Sequence, residues 1–499
     1  EAALALAKTK VKTAMLTLNA DSIAFMPCNP SIGGTAKGHL VRELDALGGF
    51  MGIAADKTMM QIKMLNRGKG AAVQSLRCQS DKSYYHRYVK SVLEKTDNLR
   101  IIQGEATEIL VEDGEVKGVK TAYGSVLYAK AIVLCTGVYL KSRVIAGEWS
   151  KNSGPNGFEA ANELTESLIK LGFTIRRFKT GTPARIDGRT IDYAKCTVQC
   201  GETDVYPFSF LTDGVPEKQT PCYLTYTNEK THEIIKANLD RSPLFNGEIK
   251  STGPRYCPSI ETKVDRFRDK ERHQIFLAPE GADTDEVYVQ GMSTSLPHDV
   301  QKAMYRTIAG LEHCEIVRYA YAIEYDCIDS TELNATLQFK KIKGLYSAGQ
   351  INGTSGYEEA AAQGLIAGLN ASLYLRNLPP LVLRRDEAYI GVLIDDLVTK
   401  GTDEPYRMMT SRAEYRIFLR QDNADMRLTE KGREAGLVSD ERYAKFLARK
   451  KALADGENIL KTVVSPKQAK EFVESYGGTL SGGISYADMI KRGIPLEDI

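Results

Sequence analysis

Helical and strand-like hydrophobic periods alternate along the first part of the chain. Residues 2–7, all Ala or Leu, favour a helix, and the apolar run 13–18 is typical of a short strand. Apolar residues at helical spacing predict a helix over 39–47, and another helix is predicted over 81–94. This alternation predicts an α/β fold.

From residue 100 the period changes to two. The pattern predicts a small β-meander with turns at Asp113-Gly114 and Tyr123-Gly124 and with strands over 100–103, 106–112, 116–122, 126–128 and 131–134. Much later in the chain, a strand over 344–348 is followed by a glycine-rich turn and a helix over 358–375.

The other segments are less regular and suggest domain boundaries. Residues 181–275 are rich in Pro, Tyr, Arg and Thr and only weakly periodic, which indicates an inserted, loop-rich lobe. After Pro379-Pro380 the pattern is helical and charged, as in a separate domain. We therefore predict one domain in two parts, 1–180 and 276–378, with the lobe 181–275 between them and an α-helical C-terminal domain, 379–499.

Composition narrows the possible classes of protein. The net charge of the 499 residues is only +2, so any nucleic-acid surface must be a local patch. No apolar run reaches the length of a membrane span. The nine cysteines form no CxxC pair and no secretion signal is present, so reduced thiols in the cytoplasm are expected. The six histidines show no metal-ligand spacing, and no metal site is predicted.

Two segments resemble parts of a dinucleotide-binding fold. One is the apolar strand 131–137, which ends in Thr-Gly, and the other is 345–364, where a strand, a turn with Gly349 and Gly353, and a helix follow each other. The amide groups at such a helix start favour a phosphate or an electron-rich flavin edge. Either segment alone could be an ordinary glycine-rich turn, but together they favour a Rossmann-like FAD-binding domain, with FAD against residues 348–353.

Several longer blocks resemble one known family. They are CNPSIGG at 28–34, KTGTP at 179–183, TNEKTH at 227–232, GPRYCPSIE at 253–261, YAIEYD at 321–326, AGQING at 348–353 and PYRMMTSRAEYR at 405–416. In this order, and over essentially the whole chain, they resemble the MnmG (GidA) family.

The resemblance implies an activity and its partners. The family consists of homodimeric FAD enzymes that act with the GTPase MnmE, as a heterotetramer, on the anticodon loop of tRNA. Together they add an aminomethyl or carboxymethylaminomethyl group to carbon 5 of the wobble uridine. Methylenetetrahydrofolate supplies the carbon, ammonium or glycine supplies the nitrogen, and NADH reduces the flavin.

The resemblance also implies cofactor contacts. FAD contacts fall at Ala106, Thr165 and Gln350, and the nicotinamide nucleotide falls on residues 253–267. The expected contacts in that segment are Gly253, Pro254, Arg255, Tyr256, Pro258, Ser259, Ile260, Glu261, Lys263 and Phe267. Residues 1–8 read as a helix already under way, so we expect the family's first strand and glycine box to precede residue 1. We also expect part of its MnmE-docking region to follow residue 499.

Cys28 and Cys257 are the candidate catalytic residues. Each lies in a loop framed by Gly or Pro, and a thiol near positive charge or backbone amides becomes a better nucleophile. Either could instead be a small buried residue, but the resemblance places both in its motif loops. A thiolate that adds to carbon 6 of uracil would make carbon 5 nucleophilic, and we expect both loops to converge on the flavin ring. Which cysteine does which job stays open.

The tRNA contacts are predicted in a local basic cluster. Only one acidic residue, Asp187, accompanies five basic ones, Arg176, Arg177, Lys179, Arg185 and Arg189. Nearby tyrosines suit an unstacked single-stranded loop. The alternative is a solvated face of mixed charge.

Three other functions remain open. A folate- and FAD-dependent tRNA uridine methyltransferase would share the flavin architecture but lack the extended helical region after residue 380. A flavin oxidoreductase of a small metabolite would need neither the basic lobe nor that region. A non-catalytic RNA-binding protein with a flavin fold would not need Cys28 and Cys257.

Overall fold

The computed structural model describes residues 1–256 and 258–499. Its helices are α1 (Ala2–Lys8), α2 (Lys37–Ala46), α3 (Met51–Lys57), α4 (Lys82–Glu94), α5 (Leu164–Lys170), α6 (Glu229–Lys236), α7 (Ile260–Arg266), α8 (His298–Tyr305), α9 (Tyr357–Leu375), α10 (Tyr389–Asp395), α11 (Ala424–Glu434), α12 (Asp440–Leu460), α13 (Pro466–Ser475) and α14 (Tyr486–Lys491).

Its strands are short and distributed over several sheets. They are β1 (Thr13–Thr17), β2 (Ser31–Gly33), β3 (Met59–Leu65), β4 (Ser75–Ser80), β5 (Leu99–Gln103), β6 (Ala106–Glu112), β7 (Glu115–Thr121), β8 (Val126–Tyr128), β9 (Ile132–Leu134), β10 (Arg143–Ala146), β11 (Trp149–Asn152), β12 (Ile175–Thr182), β13 (Arg185–Asp187), β14 (Thr197–Gln199), β15 (Cys222–Tyr226), β16 (Gln274–Pro279), β17 (Glu286–Gln290), β18 (Ile316–Arg318), β19 (Tyr321–Ile328), β20 (Leu345–Ser347), β21 (Val463–Val464) and β22 (Ile484–Ser485).

Parallel strand pairs and a tight helix pair form the Rossmann-like part. Strand β1 pairs with β5, and β9 pairs with β20, both in parallel. Helices α1 and α9 pack against each other, and a Cβ at Gly368 of α9 would lie 2.5 Å from the carbonyl oxygen of Ala2. Only glycine allows that approach. The predicted α/β class is confirmed.

Three of the five strands predicted after residue 100 form a β-meander, whereas β5 and β9 pair with β1 and β20 instead. Strands β6, β7 and β8 form an antiparallel sheet in sequence order. The turn between β6 and β7 uses Asp113 and Gly114, both with positive φ. This conformation suits Asp and Gly, which is why the turn could be located from the sequence.

The segment predicted as a loop-rich lobe contains a sheet. Strands β14, β15, β16, β17, β13 and β18 form a six-stranded sheet in that order, and each neighbouring pair is antiparallel. Its core includes Ile186, Leu277 and Val289. The sheet extends to Arg318, past the boundary expected at residue 275, because strands that are distant in sequence complete it.

Two further sheets connect the lobe to the parallel strands. Strand β12 pairs with β19 over eight residues, from Ile175–Ile328 to Thr182–Tyr321, in the four-stranded order β11-β10-β19-β12. The glycine loop after Cys28 contributes β2 to the sheet β2-β4-β3. These sheets bring residues 28–33 and 175–182 into one unit with α9.

The chain divides into two compact units, Glu1–Val438 and Ser439–Ile499. Residues 379–438, expected in the C-terminal helical domain, pack in the first unit. There the buried Glu43 of α2 accepts the Tyr389 and Ile390 amides of α10 at 2.9 and 3.0 Å, and it pairs with Arg427 of α11. The other domain boundaries inferred from sequence stay predictions.

The second unit has a core of its own. The side chains buried together are Ala469, Val473, Ile484, Met489 and Ile494. Ser439 is the N-cap of α12, and its side chain accepts a hydrogen bond from the amide of Arg442. Such an N-cap satisfies an otherwise unpaired donor of the first helical turn. None of the helices in the described part of the chain combines the length and apolar character needed to cross a membrane.

Candidate functional site

The turn between β20 and α9 holds three of the predicted FAD contacts, Gly349, Gln350 and Gly353. Gly349 has a φ of +89° and Gly353 a φ of +78°, backbone values that residues other than glycine rarely adopt. The buried Gln363 of α9 braces this turn, because its Oε1 accepts from the Gly349 amide at 3.2 Å and from Asn352 Nδ2 at 2.9 Å. Hydrogen bonds to α9, the helix that follows the turn, therefore hold the turn in place.

The first turn of α9 is also the docking point of the glycine loop that follows Cys28. Glu358 accepts the amide of Gly33 at 2.6 Å, and Lys37 Nζ lies 3.1 Å from Glu358 and 2.5 Å from Glu359. Carboxylates in the first turn suit the positive end of the helix dipole. These contacts hold the loop of residues 28–37 against the helix that follows the turn at Gly349.

Cys28 lies at this junction and is half-buried. Its amide donates to the hydroxyl of Tyr357, the first residue of α9, at 2.9 Å. Its Sγ lies 3.2 Å from Tyr288 Oη and 3.7 Å from the carbonyl oxygen of Gly181. The other candidate thiol, Cys257, lies outside the described residues, so the expected convergence of the two loops stays a prediction.

Two buried cations hold the backbone of Cys28. Arg185 Nη2 donates to the Cys28 carbonyl at 2.9 Å and Lys82 Nζ at 3.3 Å, and both cations contact Glu280 Oε1, at 2.8 and 3.0 Å. Burial lowers the pKa of Lys82 to about 8, against the opposing effect of Glu280. The cluster fixes the position of the Cys28 backbone.

This burial corrects the role expected for Arg185. Its side chain is only 2% exposed, so the guanidinium cannot act as a surface contact to a tRNA phosphate. Its donors are taken up by Glu280, by Thr182 and by the carbonyls of Pro27 and Cys28. The count of charges along the sequence could not distinguish this inward arginine from a solvated one.

The other residues of the basic cluster have different environments. Arg176 contacts Asp329 at 2.6 Å and Asp403 at 3.1 Å, and the exposed Arg189 contacts Asp187 at 2.6 Å. Lys179 is buried, and its side chain lies against Gly253. A phosphate contact at Lys179 does not fit this burial, whereas contacts at Arg176, Arg177 and Arg189 stay predictions.

Arg177 connects the predicted tRNA and FAD contacts. It contacts Asp326 at 2.6 Å, and the other oxygen of Asp326 accepts from Thr165 Oγ1 at 3.1 Å. Thr165 is buried on α5, which packs against β6, the strand that begins with the half-buried Ala106. The structure therefore places the two predicted FAD contacts Ala106 and Thr165 in one packed region.

The predicted nicotinamide segment leads into α7. Ile260 and Glu261 are fully buried, and Glu261 Oε1 accepts the Ser295 amide at 3.1 Å, so these two residues anchor the helix. Before the helix, Arg255 lies 3.6 Å from Glu404 and Tyr256 is exposed. Gly253, Pro254, Pro258 and Ser259 connect these parts in irregular backbone.

A shallow cavity of about 520 Å³, widely open to solvent, lies beside the end of α7. Two predicted contacts, Lys263 and Phe267, line it together with residues that we had not singled out as cofactor contacts: Lys270, Arg272, His273, Gln274, Phe276, Gln290 and Gly291. Its charged lining is basic, which suits an anionic ligand. Basic residues are frequent over 250–272, but no pattern in the sequence predicted a cavity there.

Across residues 1–256 and 258–499, no three His, Cys, Asp or Glu side chains come together in an arrangement that would hold a metal ion.

Comparison with known proteins gives consistent matches along the chain. The family model for glucose inhibited division protein A matches residues 1–379. The tRNA uridine 5-carboxymethylaminomethyl modification enzyme MnmG of Caldicellulosiruptor saccharolyticus is 60% identical over 495 residues, which are 99% of this chain and 79% of that protein. The enzyme of the same name from Clostridium botulinum is 58% identical, with the same coverage.

Solved structures agree with these matches. Aquifex aeolicus GidA in its form II crystal is 48% identical with a TM-score of 0.92, covering 100% of this chain and 80% of that one. In its form I crystal it is 47% identical with a TM-score of 0.90, covering 99% and 85%.

Proposed function

This chain belongs to the glucose inhibited division protein A (GidA) family, and from that premise we propose that it is a FAD-dependent tRNA-modifying enzyme. Its reaction adds an aminomethyl or carboxymethylaminomethyl group to carbon 5 of the wobble uridine. The names of the relatives with 60% and 58% identity support this substrate. The observation that carries the proposal is the thiol of Cys28 beside the first turn of α9, next to the glycine-rich turn.

The residues of the turn fit a flavin nucleotide. A Cβ at Gly349 would lie 3.2 Å from Ala360 and would require an unfavourable φ, so the turn keeps its backbone free of side-chain bulk. Gly349, Gln350 and Gly353 would hold FAD from one side, with Ala106 and Thr165 as further contacts. When bound, FAD would supply redox chemistry at this turn, with NADH as its reductant.

A cysteine thiolate provides the nucleophile in this proposal. Sulfur forms a bond to carbon 6 of uracil while the carbon 5–carbon 6 π pair moves into an enolate. Carbon 5 then attacks the electrophilic methylene derived from methylenetetrahydrofolate, and loss of the carbon 5 proton with departure of the thiolate restores the ring. The nitrogen of ammonium or glycine then bonds to the methylene carbon as the bond from that carbon to tetrahydrofolate breaks, which leaves the aminomethyl or carboxymethylaminomethyl group on carbon 5. Cys28 and Cys257 remain the pair of candidates, and Arg185 and Lys82 hold Cys28 in place for either role.

The proposal extends to the partners implied by the family. The basic cavity beside Lys263 and Phe267 suits the phosphates of NADH, and Arg176, Arg177 and Arg189 are the remaining candidates for the anticodon loop. We also propose a homodimer that acts in the cytoplasm with the GTPase MnmE.

Nucleoside analysis of tRNA tests the proposed function. Unmodified tRNA is incubated with the protein, MnmE, methylenetetrahydrofolate, ammonium or glycine, and NADH. We expect the modified uridine with the wild type and with Cys200→Ser, which replaces an exposed thiol, but none with Cys28→Ser. All three proteins should retain equal amounts of FAD. Full modification by Cys28→Ser would remove Cys28 from the mechanism.

A further inference from the structure

The sulfur of Cys28 has a close hydroxyl neighbour that no sequence motif includes. Tyr288 on β17 is 3% exposed, and its Oη lies 3.2 Å from Cys28 Sγ. Strand register places Tyr288 opposite Arg185, whose guanidinium lies 5.1 Å from the centre of the Tyr288 ring. The residue that holds the Cys28 carbonyl and the residue beside its sulfur are thus neighbours across one strand pair.

Among the described residues, two contacts of the sulfur favour opposite protonation states. The carbonyl oxygen of Gly181, at 3.7 Å, can only accept, so it interacts with a neutral thiol that donates. The Tyr288 hydroxyl can donate, and a hydrogen bond to an ionised acceptor is about twice as strong as a neutral one. The shorter contact, at 3.2 Å, therefore gives the greater advantage to the thiolate.

Four other polar side chains near Cys28, in the part of the chain that the structure describes, are engaged with other atoms. Tyr357 accepts from the Cys28 amide and donates to the carbonyl of Asn29, and Tyr321 contacts Asn156. Lys82 and Arg185 donate to the Cys28 carbonyl and to Glu280. Their positive charge adds to the thiolate's stability at longer range, while Glu280 offsets one of the two charges.

We propose that Tyr288 is a positioning residue for Cys28, with its hydroxyl donating a hydrogen bond to the thiolate. The thiol proton leaves to solvent before substrate binds, and Tyr288 keeps its own proton throughout. The bond aims the sulfur and stabilises the negative charge of the thiolate that attacks. The use of this thiolate on uridine rests on the proposed function, whereas the Tyr288–Cys28 interaction does not.

The test is the pH dependence of Cys28 alkylation in full-length Tyr288→Phe. Iodoacetamide reacts with thiolates, and mass spectrometry of the tryptic peptide 13–37, in which Cys28 is the only cysteine, isolates its rate. We expect the rate at pH 7 to fall about tenfold, the expected effect of one lost charge-assisted hydrogen bond. The midpoint of the profile should move to higher pH, and the plateau at high pH should not fall.

Tyr321→Phe is the matched control, because it removes a neighbouring hydroxyl that contacts Asn156 instead of the sulfur. Its alkylation profile should match the wild type. An unchanged midpoint in Tyr288→Phe would overturn the proposal, and a change in the plateau alone would reveal altered access and overturn it equally. If Tyr288→Phe does not fold, 3-fluorotyrosine at position 288 provides a stronger donor and should move the midpoint to lower pH, and no movement would overturn the proposal.

The alkylation result and the activity result separate the two proposals. A shifted midpoint together with full tRNA modification by Cys28→Ser would contradict the proposed role of Cys28 and leave its interaction with Tyr288 intact. An unshifted midpoint together with loss of modification in Cys28→Ser would overturn the interaction with Tyr288 and leave the proposed role of Cys28 intact.

Discussion

Glu280→Gln should destabilise the first unit strongly. Glu280 is the shared carboxylate of Lys82 and Arg185, whose side chains are 6% and 2% exposed. The substitution keeps the shape of the side chain but leaves two buried cations without a counter-charge. Removing one partner of a buried ion pair costs about 3–5 kcal/mol.

The two cations contribute to this cost differently. Lys82 has a pKa of about 8, so at pH 7 its deprotonation costs only about 1.4 kcal/mol. Without Glu280 the lysine can become neutral at that cost, so its share of the lost stability cannot exceed about 1.4 kcal/mol. The guanidinium of Arg185 stays charged and carries the rest. Because neutral Lys82 needs no counter-charge, the lysine share falls as pH rises through 8 and is nearly absent at pH 9, whereas the arginine share persists.

Thermal denaturation at pH 7 and pH 9 measures both shares. For a unit of this length, a loss of about 3–5 kcal/mol lowers Tm by about 3–5 °C. Trp149, the only tryptophan of the chain, lies in the first unit and reports its unfolding. The matched control is Glu286→Gln, which removes a carboxylate from a more exposed pair with Arg318 and should cost about 0–1 kcal/mol. A loss below about 1 kcal/mol, or one that is the same at pH 7 and pH 9, would refute this reasoning.

Two other substitutions probe separate features. Burial raises the pKa of Asp56 to about 6, although the amides of Phe208 and Ser209 donate hydrogen bonds to its carboxylate. Between about pH 4 and pH 6 the Asp56 carboxyl is therefore protonated in the folded protein and ionised in the unfolded chain. Relative to Asp56→Asn, the free energy of unfolding of the wild type should therefore fall by up to about 3 kcal/mol as pH rises from 4 to 7. A Tm difference between the two proteins that stays constant over this range would contradict the prediction. Gly349→Val should lose FAD, because it adds a branched side chain at φ +89 and 3.2 Å from Ala360, and full absorbance at 450 nm after purification would contradict the placement.

Local sequence signals located the elements near the candidate site. The strand, turn and helix around Gly349 were predicted because a positive φ requires glycine and because α9 begins directly afterwards. The six-stranded sheet was missed because its neighbours, such as β13 and β17, are about 100 residues apart, so no local pattern records their pairing. Propensity alone cannot supply such long-range pairs.

The candidate site was predicted only in part, for the same reason. Cys28 could be selected from its own loop, but Tyr288, Lys82 and Glu280 come to it from other strands and helices. Arg185 was selected for its charge, although tertiary burial turns that charge inward. Charge is visible in a sequence, whereas the direction in which a side chain faces depends on the whole fold.

The pairing of α1 with α9 constrains the order in which the chain can fold during synthesis. Lys8, at the end of α1, precedes Tyr357, at the start of α9, by 349 positions, and β9 likewise waits for β20. At about 5–20 residues per second, the ribosome needs about 20–70 s to make the intervening chain. During that time the apolar face of α1 lacks its final partner, whereas the lobe sheet, complete at Arg318, can form first. The half of the first unit that holds α1, α9, β9 and β20 can therefore close only after the lobe sheet is able to form.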